Sequence, residues 1–201
     1  MEIEAKYTTS DPSQFARLLK ADTLGDYSLK PIEEQHITDH YMDTLHHAIW
    51  QDGYACRMRE KNGEWFVTVK GRGGVEGAIH QREEYEMTVQ PDTPPQQWPD
   101  GTARDLILSL TRSLPLTELC VIRQHRTLRI MCQSNRIVGE LSLDVVEIEA
   151  DNQRETGYEV EIELEQGGTL EDLLVLGDIL QTYGLCPESR SKFERALALI
   201  K

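Results

Sequence analysis

The chain begins with an alternation of charged and uncharged side chains that constrains its fold more than any other feature. Residues 2–7 read Glu-Ile-Glu-Ala-Lys-Tyr. Successive side chains of a β-strand point to opposite faces, so Glu2, Glu4 and Lys6 would lie in one row. The pattern predicts a strand with two carboxylates and one ammonium on a single face.

The same polarity recurs along the chain, always with charged groups on one face and apolar groups on the other. A solvated sheet face usually mixes Ser, Thr, Gln and Lys, whereas these faces are almost purely charged. One arrangement accounts for all of them: a sheet that closes with its charged face inward, its apolar face covered by helices. Buried unpaired charges are costly, so they would need water, one another, or a highly charged ligand with metal ions. The alternative is an ordinary sandwich with solvated charged faces. The later charged positions are Arg57, Arg59, Lys70, Arg82, Glu84, Glu86, Arg126, Asp144, Glu159, Glu161 and Glu163.

Hydrophobic periodicity and turn residues divide the chain into short strands and a few helices. Asn62-Gly63 between two alternating segments is a strong hairpin signal. Ser10 and Asp11, followed by Pro12, predict the start of a helix. The predicted strands are 1–8, 32–43, 54–59, 65–70, 78–90, 119–132, 136–148 and 156–166, and further helices are predicted at 103–113, 169–183 and 190–200.

This element count predicts an α+β fold built on an eight-stranded antiparallel closed β-barrel. Eight strands can close around a small interior, which would here be a charged tunnel with helices packed outside. Residues 91–101 carry four of the eight prolines and form a loop, but neither side of it would hold a complete sheet. We therefore expect one domain over residues 1–201.

Composition limits the partners and the compartment. The formal net charge of −14, from 35 acidic and 21 basic residues, argues against nucleic-acid and membrane partners. Neither a membrane span nor a signal peptide is evident. The four cysteines are far apart in sequence and form no C-x-x-C motif, which predicts free thiols and a cytoplasmic location. The sequence leaves the oligomeric state open.

The motifs of the chain resemble, in order, those of the CYTH superfamily, also called the triphosphate tunnel metalloenzymes. Residues 2–6 match its E-x-E-x-K signature, and the likeness runs to the end of the chain. Residues 78–85 resemble most the bacterial inorganic triphosphatases in which a CYTH domain precedes a helical CHAD domain. The later matching elements are Tyr41-Met42-Asp43, Arg57-Met58-Arg59, Lys70-Gly71, Arg82 to Glu86, Arg126, Leu143-Asp144, Glu159 to Glu163 and Ser191-Lys192.

The resemblance implies a metal-dependent hydrolysis of inorganic triphosphate to pyrophosphate and phosphate. Arginine suits such a substrate because its planar fork grips two phosphate oxygens, and lysine adds point charges. Glu4, Lys6, Arg57 and Lys70 are the expected catalytic residues. The expected substrate-binding residues are Lys6, Arg57, Arg59, Lys70, Arg82, Arg126 and Lys192.

Clustered carboxylates in a phosphate site imply Mg²⁺ or Mn²⁺ between acid and phosphate. Glu84 and Glu86 are expected to support the site by orienting arginines or by positioning metal or water. The expected metal ligands come from the first strand, the last strand and Asp144: Glu2, Glu4, Asp144, Glu159, Glu161 and Glu163.

Two other functions remain open at this level. An organic triphosphate enzyme, such as a thiamine triphosphatase, a nucleoside triphosphatase or a class IV type adenylate cyclase, would use the same charges. A non-catalytic polyphosphate-binding module would keep the basic groups and lack the metal carboxylates. The run Gly71-Arg72-Gly73-Gly74 lacks P-loop spacing and predicts a mobile hairpin loop.

Overall fold

The computed structural model describes residues 2–200 and contains twelve strands and five α-helices in that range. The helices are α1 (Pro12–Leu19), α2 (Ala48–Gln51), α3 (Thr102–Thr111), α4 (Leu170–Thr182) and α5 (Lys192–Leu199). The strands are β1 (Glu2–Thr9), β2 (Thr23–Leu24), β3 (Tyr27–Asp43), β4 (Tyr54–Lys61), β5 (Glu64–Gly71), β6 (Gly74–Glu76), β7 (Ile79–Arg82), β8 (Glu84–Val89), β9 (Thr117–Gln133), β10 (Arg136–Ala150), β11 (Gln153–Leu164) and β12 (Cys186–Pro187).

All strands belong to one antiparallel, barrel-like sheet with helices outside. Ten of them follow the order β6-β7-β1-β11-β10-β9-β3-β4-β5-β8, while β12 pairs with β1 and β2 pairs with β3. The predicted closed barrel of eight strands is not confirmed. The short strands β2, β6 and β12 were missed because two or three residues carry no readable alternation.

The prediction of a single strand over 78–90 was wrong, and the break shapes the sheet. At Glu83 the segment divides into β7, which pairs with β1, and β8, which pairs with β5. The Glu83 carbonyl accepts a hydrogen bond from the Gly71 amide at 3.0 Å. One extended segment therefore pairs with strands near both ends of the sheet, which curls the charged face inward.

Local sequence explains most of the confirmed elements. Asn62 and Gly63 both adopt positive φ angles, 55° and 82°, as a type I′ turn between β4 and β5 requires. Asp11 caps α1 by accepting a hydrogen bond from the Ser13 amide. α4 and α5 each begin with a reciprocal capping box, at Thr169 and Ser191 respectively.

The apolar faces of the strands pack outward against the helices, as the alternation predicts. Ala5 and Tyr7 of β1 belong to a buried cluster with residues of α1 and α4, while Glu4 and Lys6 point to the other face. A second outer cluster lies under α3. The cluster under α5 differs, because its Ile122 and Val146 share the strand faces of Arg126 and Asp144, so α5 covers part of the inner face. No helix within residues 2–200 is long and apolar enough to cross a membrane.

Candidate active site

The pairing of β1 with β11 brings the first and last charged rows together on the inner face. Lys6 lies opposite Glu161, and Glu4 lies opposite Glu163. Lys6 contacts the Glu161 carboxylate and lies 3.2 Å from Glu4. Both Glu4 and Lys6 are 3% exposed. The first strand thus contributes its charges to a buried site, as the opening sequence predicts.

Three buried carboxylates, those of Asp144, Glu159 and Glu161, converge beside this pair. One oxygen of each lies within 4.8 Å of the others. Arg126 donates to Asp144 through Nε at 2.8 Å and Nη2 at 2.7 Å, and Nη2 also contacts Glu161 at 2.7 Å. Lys192, in the first turn of α5, contacts all three acids, at 3.1 Å from Asp144 and 3.0 Å from Glu161. Predicted acids and predicted cations therefore meet in one network.

The carboxylates of this network differ in protonation tendency. Burial raises the pKa of Glu161, but Lys192 and Lys6 outweigh burial and hold it well below its usual range. Burial instead prevails at Glu159, whose pKa lies above its ordinary value. Arg195 Nη2, also on α5, donates to Glu159 at 2.5 Å and compensates its charge. Glu161 is thus the anionic centre of the group.

A second ion-pair group joins β1 to the ends of β5, β7 and β8. Lys70 Nζ lies 2.9 Å from Glu2 and 2.7 Å from Glu84. Arg82 donates through Nε to Glu2 at 2.9 Å and through Nη2 to Glu4. Each acid here shares its charge with more than one cation, so the group is a network rather than a set of separate pairs.

A third group centres on Asp39, which the sequence analysis did not identify. Arg59 donates to its carboxylate through Nε at 2.6 Å and Nη2 at 2.8 Å. Gln124 Nε2 donates to Oδ2 at 2.9 Å, and Arg57 Nη1 lies 3.6 Å from the same oxygen. Burial raises the pKa of Asp39, but Arg57 and Arg59 outweigh it and hold the pKa well below its ordinary value. The ionised Asp39 carboxylate therefore positions Arg57 and Arg59, two side chains that are predicted to bind phosphate.

Glu163 is the exception among the predicted acids, because no ion pair reaches it from the described residues. Its side chain faces the cavity and its residue is exposed at the cavity surface. Desolvation, together with the charges of Glu2 and Glu4, raises its pKa to about 7. A carboxylate that repels its neighbours and lacks a cation is a favourable ligand for a divalent metal.

All three groups border one cavity of about 250 Å³. Drug-sized ligands typically occupy larger pockets, roughly 300–1,000 Å³, so this one suits a small ligand. Asp144 and Glu159, both 0% exposed, are not among its lining residues and lie behind its wall. The other predicted site residues all line it: the cations Lys6, Arg57, Arg59, Lys70, Arg82, Arg126 and Lys192, and the acids Glu2, Glu4, Glu84, Glu86, Glu161 and Glu163.

The aromatic residues that border the cavity already have partners on their faces. Tyr41 stacks on Phe193 with ring centroids 4.5 Å apart, and Trp50 meets the same ring edge-on at 5.4 Å. The guanidinium of Arg72, in the predicted Gly-rich loop, covers the Trp50 ring at 4.1 Å from its centroid. This margin of the cavity is therefore occupied by the protein's own side chains.

Three site residues escaped the sequence analysis, although each had a signal. Asp39 has the same strand parity as Tyr41, and Gln124 has that of Arg126, so both could be placed on the inner face. Arg195 follows Lys192 by one helical turn. The signals were weak because a buried Asp or Gln resembles the residues of a turn or a solvated strand in sequence alone.

Comparison with known proteins identifies the fold and the family. A candidate adenylyl cyclase from Hippeastrum, described as having a dominant triphosphatase activity, superposes with a TM-score of 0.69 at 19% identity, covering 98% of this chain and 96% of that one. A candidate adenylate cyclase from Bacillus halodurans gives 0.63 at 22% identity, over 97% and 96%. The Mimivirus capping enzyme triphosphatase gives 0.51 at 12% identity, over 90% of both chains. At these identities the structures show a shared fold. The CYTH domain model matches residues 1–196, and the chain therefore belongs to the CYTH family, the triphosphate tunnel metalloenzymes.

Proposed function

We propose that the protein hydrolyses inorganic triphosphate to pyrophosphate and phosphate with the help of a divalent metal. The observation that carries the proposal is the convergence of eight Lys and Arg side chains on one small cavity that also has an acidic wall. A compact polyanion is the ligand that such a ring of cations would stabilise best. The acidic wall adds carboxylate oxygens that could bind a catalytic metal ion. A module that only binds anions would not need them.

The choice of an inorganic substrate rests on the margin of the cavity. An organic triphosphate must place its ring beyond the phosphates, where an aromatic surface would stabilise it by stacking. Arg72 covers a face of Trp50, and Phe193 stacks on Tyr41 and makes a perpendicular contact with Trp50. An inorganic triphosphate makes no demand on these rings, and Arg72 at the margin adds a positive charge for its terminal phosphate.

Catalysis would rest on charge stabilisation by preorganised cations. Phosphoryl transfer spreads negative charge over the equatorial oxygens of the transferred group, and positioned Arg and Lys side chains stabilise it. Lys6, Arg57 and Lys70 line the cavity and would grip the triphosphate there. Their ion pairs with acids hold each side chain in place before the substrate arrives, so little reorganisation remains.

The acids that line the cavity fit a divalent metal, for which Mg²⁺ or Mn²⁺ is our proposal. Oxygen donors are the ligands these ions prefer, and the Glu163 carboxylate forms no ion pair among the described residues, although the charge of Lys70 acts on it. We assign Glu2, Glu4, Glu161 and Glu163 as ligands. The fully buried Asp144 and Glu159 would hold cations from behind the wall. The bound ion would supply Lewis-acid stabilisation of phosphate oxygens.

A phosphate-release panel tests the proposal. Tripolyphosphate, pyrophosphate, ATP and thiamine triphosphate would each be assayed with Mg²⁺ or Mn²⁺, and tripolyphosphate should turn over fastest. Faster turnover of ATP or thiamine triphosphate would instead establish an organic triphosphatase. Formation of cyclic AMP would establish a cyclase, the activity that the names of two structural neighbours carry. Binding of tripolyphosphate without any turnover would establish a binding module.

The role of Glu4 has a direct test. Glu4→Gln removes one metal donor and should abolish metal-dependent hydrolysis while circular dichroism shows an intact fold. Glu147→Gln is the matched control, because Glu147 lies on the outer face of β10, where it pairs with Arg123 at 3.5 Å. Unaltered turnover in Glu4→Gln would remove Glu4 from the site. A cytoplasmic setting, without nucleic-acid or membrane partners, belongs to the same proposal.

A further inference from the structure

Gln124 is a neutral amide among the charged side chains of the cavity. It lies on β9 two residues before Arg126, so both side chains share the inner face. The residue is 3% exposed and lines the cavity. Neither its amide nor its position is explained by the ring of cations or by the acidic wall.

The contact with Asp39 fixes the orientation of the Gln124 amide. The Asp39 carboxylate holds Arg59 through two hydrogen bonds, and the charges of Arg57 and Arg59 outweigh its burial and keep it ionised. An ionised carboxylate only accepts hydrogen bonds, so the group that faces it at 2.9 Å must be the Nε2 donor. The amide oxygen is therefore the atom left free of Asp39.

The amide oxygen of Gln124 has no hydrogen-bond partner within the described part of the chain. A buried acceptor without a donor is unfavourable, so a group that donates a hydrogen bond would be stabilised there. Arg57 Nε is likewise buried without an acceptor and belongs to the same cavity. Both side chains approach the same oxygen of Asp39, so Asp39 links the side chain with the free acceptor to the side chain with the free donor.

The chemistry of a triphosphate decides what these two atoms bind. Near neutral pH its oxygens are mostly acceptors, which suit the Arg57 Nε–H and not the Gln124 oxygen. A metal ion is disfavoured at this oxygen because Arg57 and Arg59 lie on the adjacent carboxylate. Water is the remaining donor, and it would lie next to a phosphate group held by Arg57.

We propose that Gln124 positions the attacking water for triphosphate hydrolysis, an inference that rests on the proposed function. Its Oε1 accepts one hydrogen of the water, which turns a lone pair of the water oxygen toward the terminal phosphorus. The new bond forms from the water oxygen to that phosphorus, and the bond to the bridging oxygen breaks. Its electron pair leaves with pyrophosphate, and the water proton passes to a product phosphate oxygen. Gln124 stays a neutral amide throughout.

The test is Gln124→Met, which keeps the length of the side chain and removes the amide. With tripolyphosphate and Mn²⁺ we expect kcat to fall about 100-fold, the scale of a misplaced reactant, with KM changed less than about threefold. Calorimetry should show unchanged affinity for tripolyphosphate and for Mn²⁺. Gln35→Met is the matched control: Gln35 is also 3% exposed and on a sheet strand but does not line the cavity. It should retain kcat.

A second variant keeps the inference falsifiable if Gln124→Met does not fold. Gln124→Asn keeps the amide on a shorter stem, and its kcat should lie between those of the wild type and Gln124→Met with the same KM. Normal kcat in Gln124→Met or Gln124→Asn, or a loss of affinity as large as the loss of rate, would overturn the role of Gln124 alone. Absence of turnover by the wild type on every triphosphate would instead overturn the proposed function and this inference with it.

Discussion

Asp39 is the residue whose loss should reveal how strongly the cavity depends on its own ion pairs. Asp39→Asn keeps the shape of the side chain and removes the charge that faces Arg57 and Arg59. The carboxylate is 1% exposed and the Arg59 side chain 14%. Removing one partner of a buried pair usually costs about 3–5 kcal/mol, because the other charge stays buried. Arg59 keeps some contact with the cavity, so we expect a loss of about 3 kcal/mol.

Urea unfolding followed by circular dichroism would measure this loss, since urea leaves ion pairs unscreened. Asp100→Asn is the control: Asp100 is 98% exposed and pairs with Arg104 on the surface, so its loss should cost under about 0.5 kcal/mol. The double variant Asp39→Asn/Arg59→Met should recover part of the stability, because the orphaned cation is gone. A loss below about 1 kcal/mol for Asp39→Asn would refute the buried-anchor account of Asp39.

The pH dependence of stability provides an independent check on Asp39. Its pKa is depressed in the folded protein, so folding favours the ionised form. The stabilisation is complete above the unfolded pKa of about 3.9 and is lost as pH falls below it toward the folded pKa. The difference in stability between wild type and Asp39→Asn should therefore be constant from neutral pH to about pH 5 and shrink below about pH 4. A constant difference through this acid range would contradict the assignment.

Three further predictions address the substrate, the scaffold and the metal. Arg57→Met should weaken tripolyphosphate binding in calorimetry about 10- to 100-fold. Little stability should be lost, because the acidic partners of Arg57 lie as far as 3.6 and 3.8 Å away. Arg123→Met on the outer face should leave the affinity unchanged, and equal affinities in both variants would exclude Arg57 from the binding site. Asp172→Ala should cost about 2–3 kcal/mol in urea unfolding, because its carboxylate accepts bonds from a guanidinium, a phenol and the first amide of its capping box. Thr169→Ala, which removes the hydroxyl that accepts from the Asp172 amide and donates to its carboxylate, should cost about 1 kcal/mol. An equal cost for both variants would disprove the role of the wider network. Glu163→Gln should weaken Mn²⁺ binding about tenfold, or about 1.4 kcal/mol. With chelator present, Glu163→Gln should instead stabilise the protein above pH 7. The pKa of Glu163 is raised to about 7 in the folded protein, so its ionisation opposes folding as pH rises. A destabilised variant under these conditions would contradict this account.

The orientation of the sheet could be predicted from sequence because charged and apolar side chains alternate with a period of two residues and differ strongly in polarity. In β1, Glu4 and Lys6 differ so much from Ala5 and Tyr7 that parity alone assigns each face. Once the charged faces turn inward, the basic and acidic positions must converge. The charged cavity-lining positions on the strands were therefore accessible from parity, whereas Lys192 on the last helix was expected from the resemblance to the CYTH superfamily.

The parts that escaped prediction depend on breaks and on neutral or isolated residues. Glu83 places a charge at a position where the alternation calls for an apolar side chain. The strand breaks there, because the segment must change pairing partners from β1 to β5. Asp144 and Glu159 have the right parity, but parity cannot tell a cavity-lining acid from one behind the wall. Depth within the sheet follows from register and from the reach of Arg126 and Lys192, which no local pattern encodes.

Seven of the eight Lys and Arg side chains that line the cavity pair with acids, which explains why a chain with a net charge of −14 can build a site for a polyanion. Lys70 and Arg82 are held by Glu2 and Glu4, and a triphosphate that takes over these cations leaves the carboxylates buried without partners. That exchange is unfavourable on its own. A divalent ion bound by the released acids would restore their balance, so each ligand prepares the site for the other, and the two binding free energies must be coupled by the same amount in both directions. The mixture of acidic and basic side chains therefore couples the binding of the polyanion to the binding of the metal.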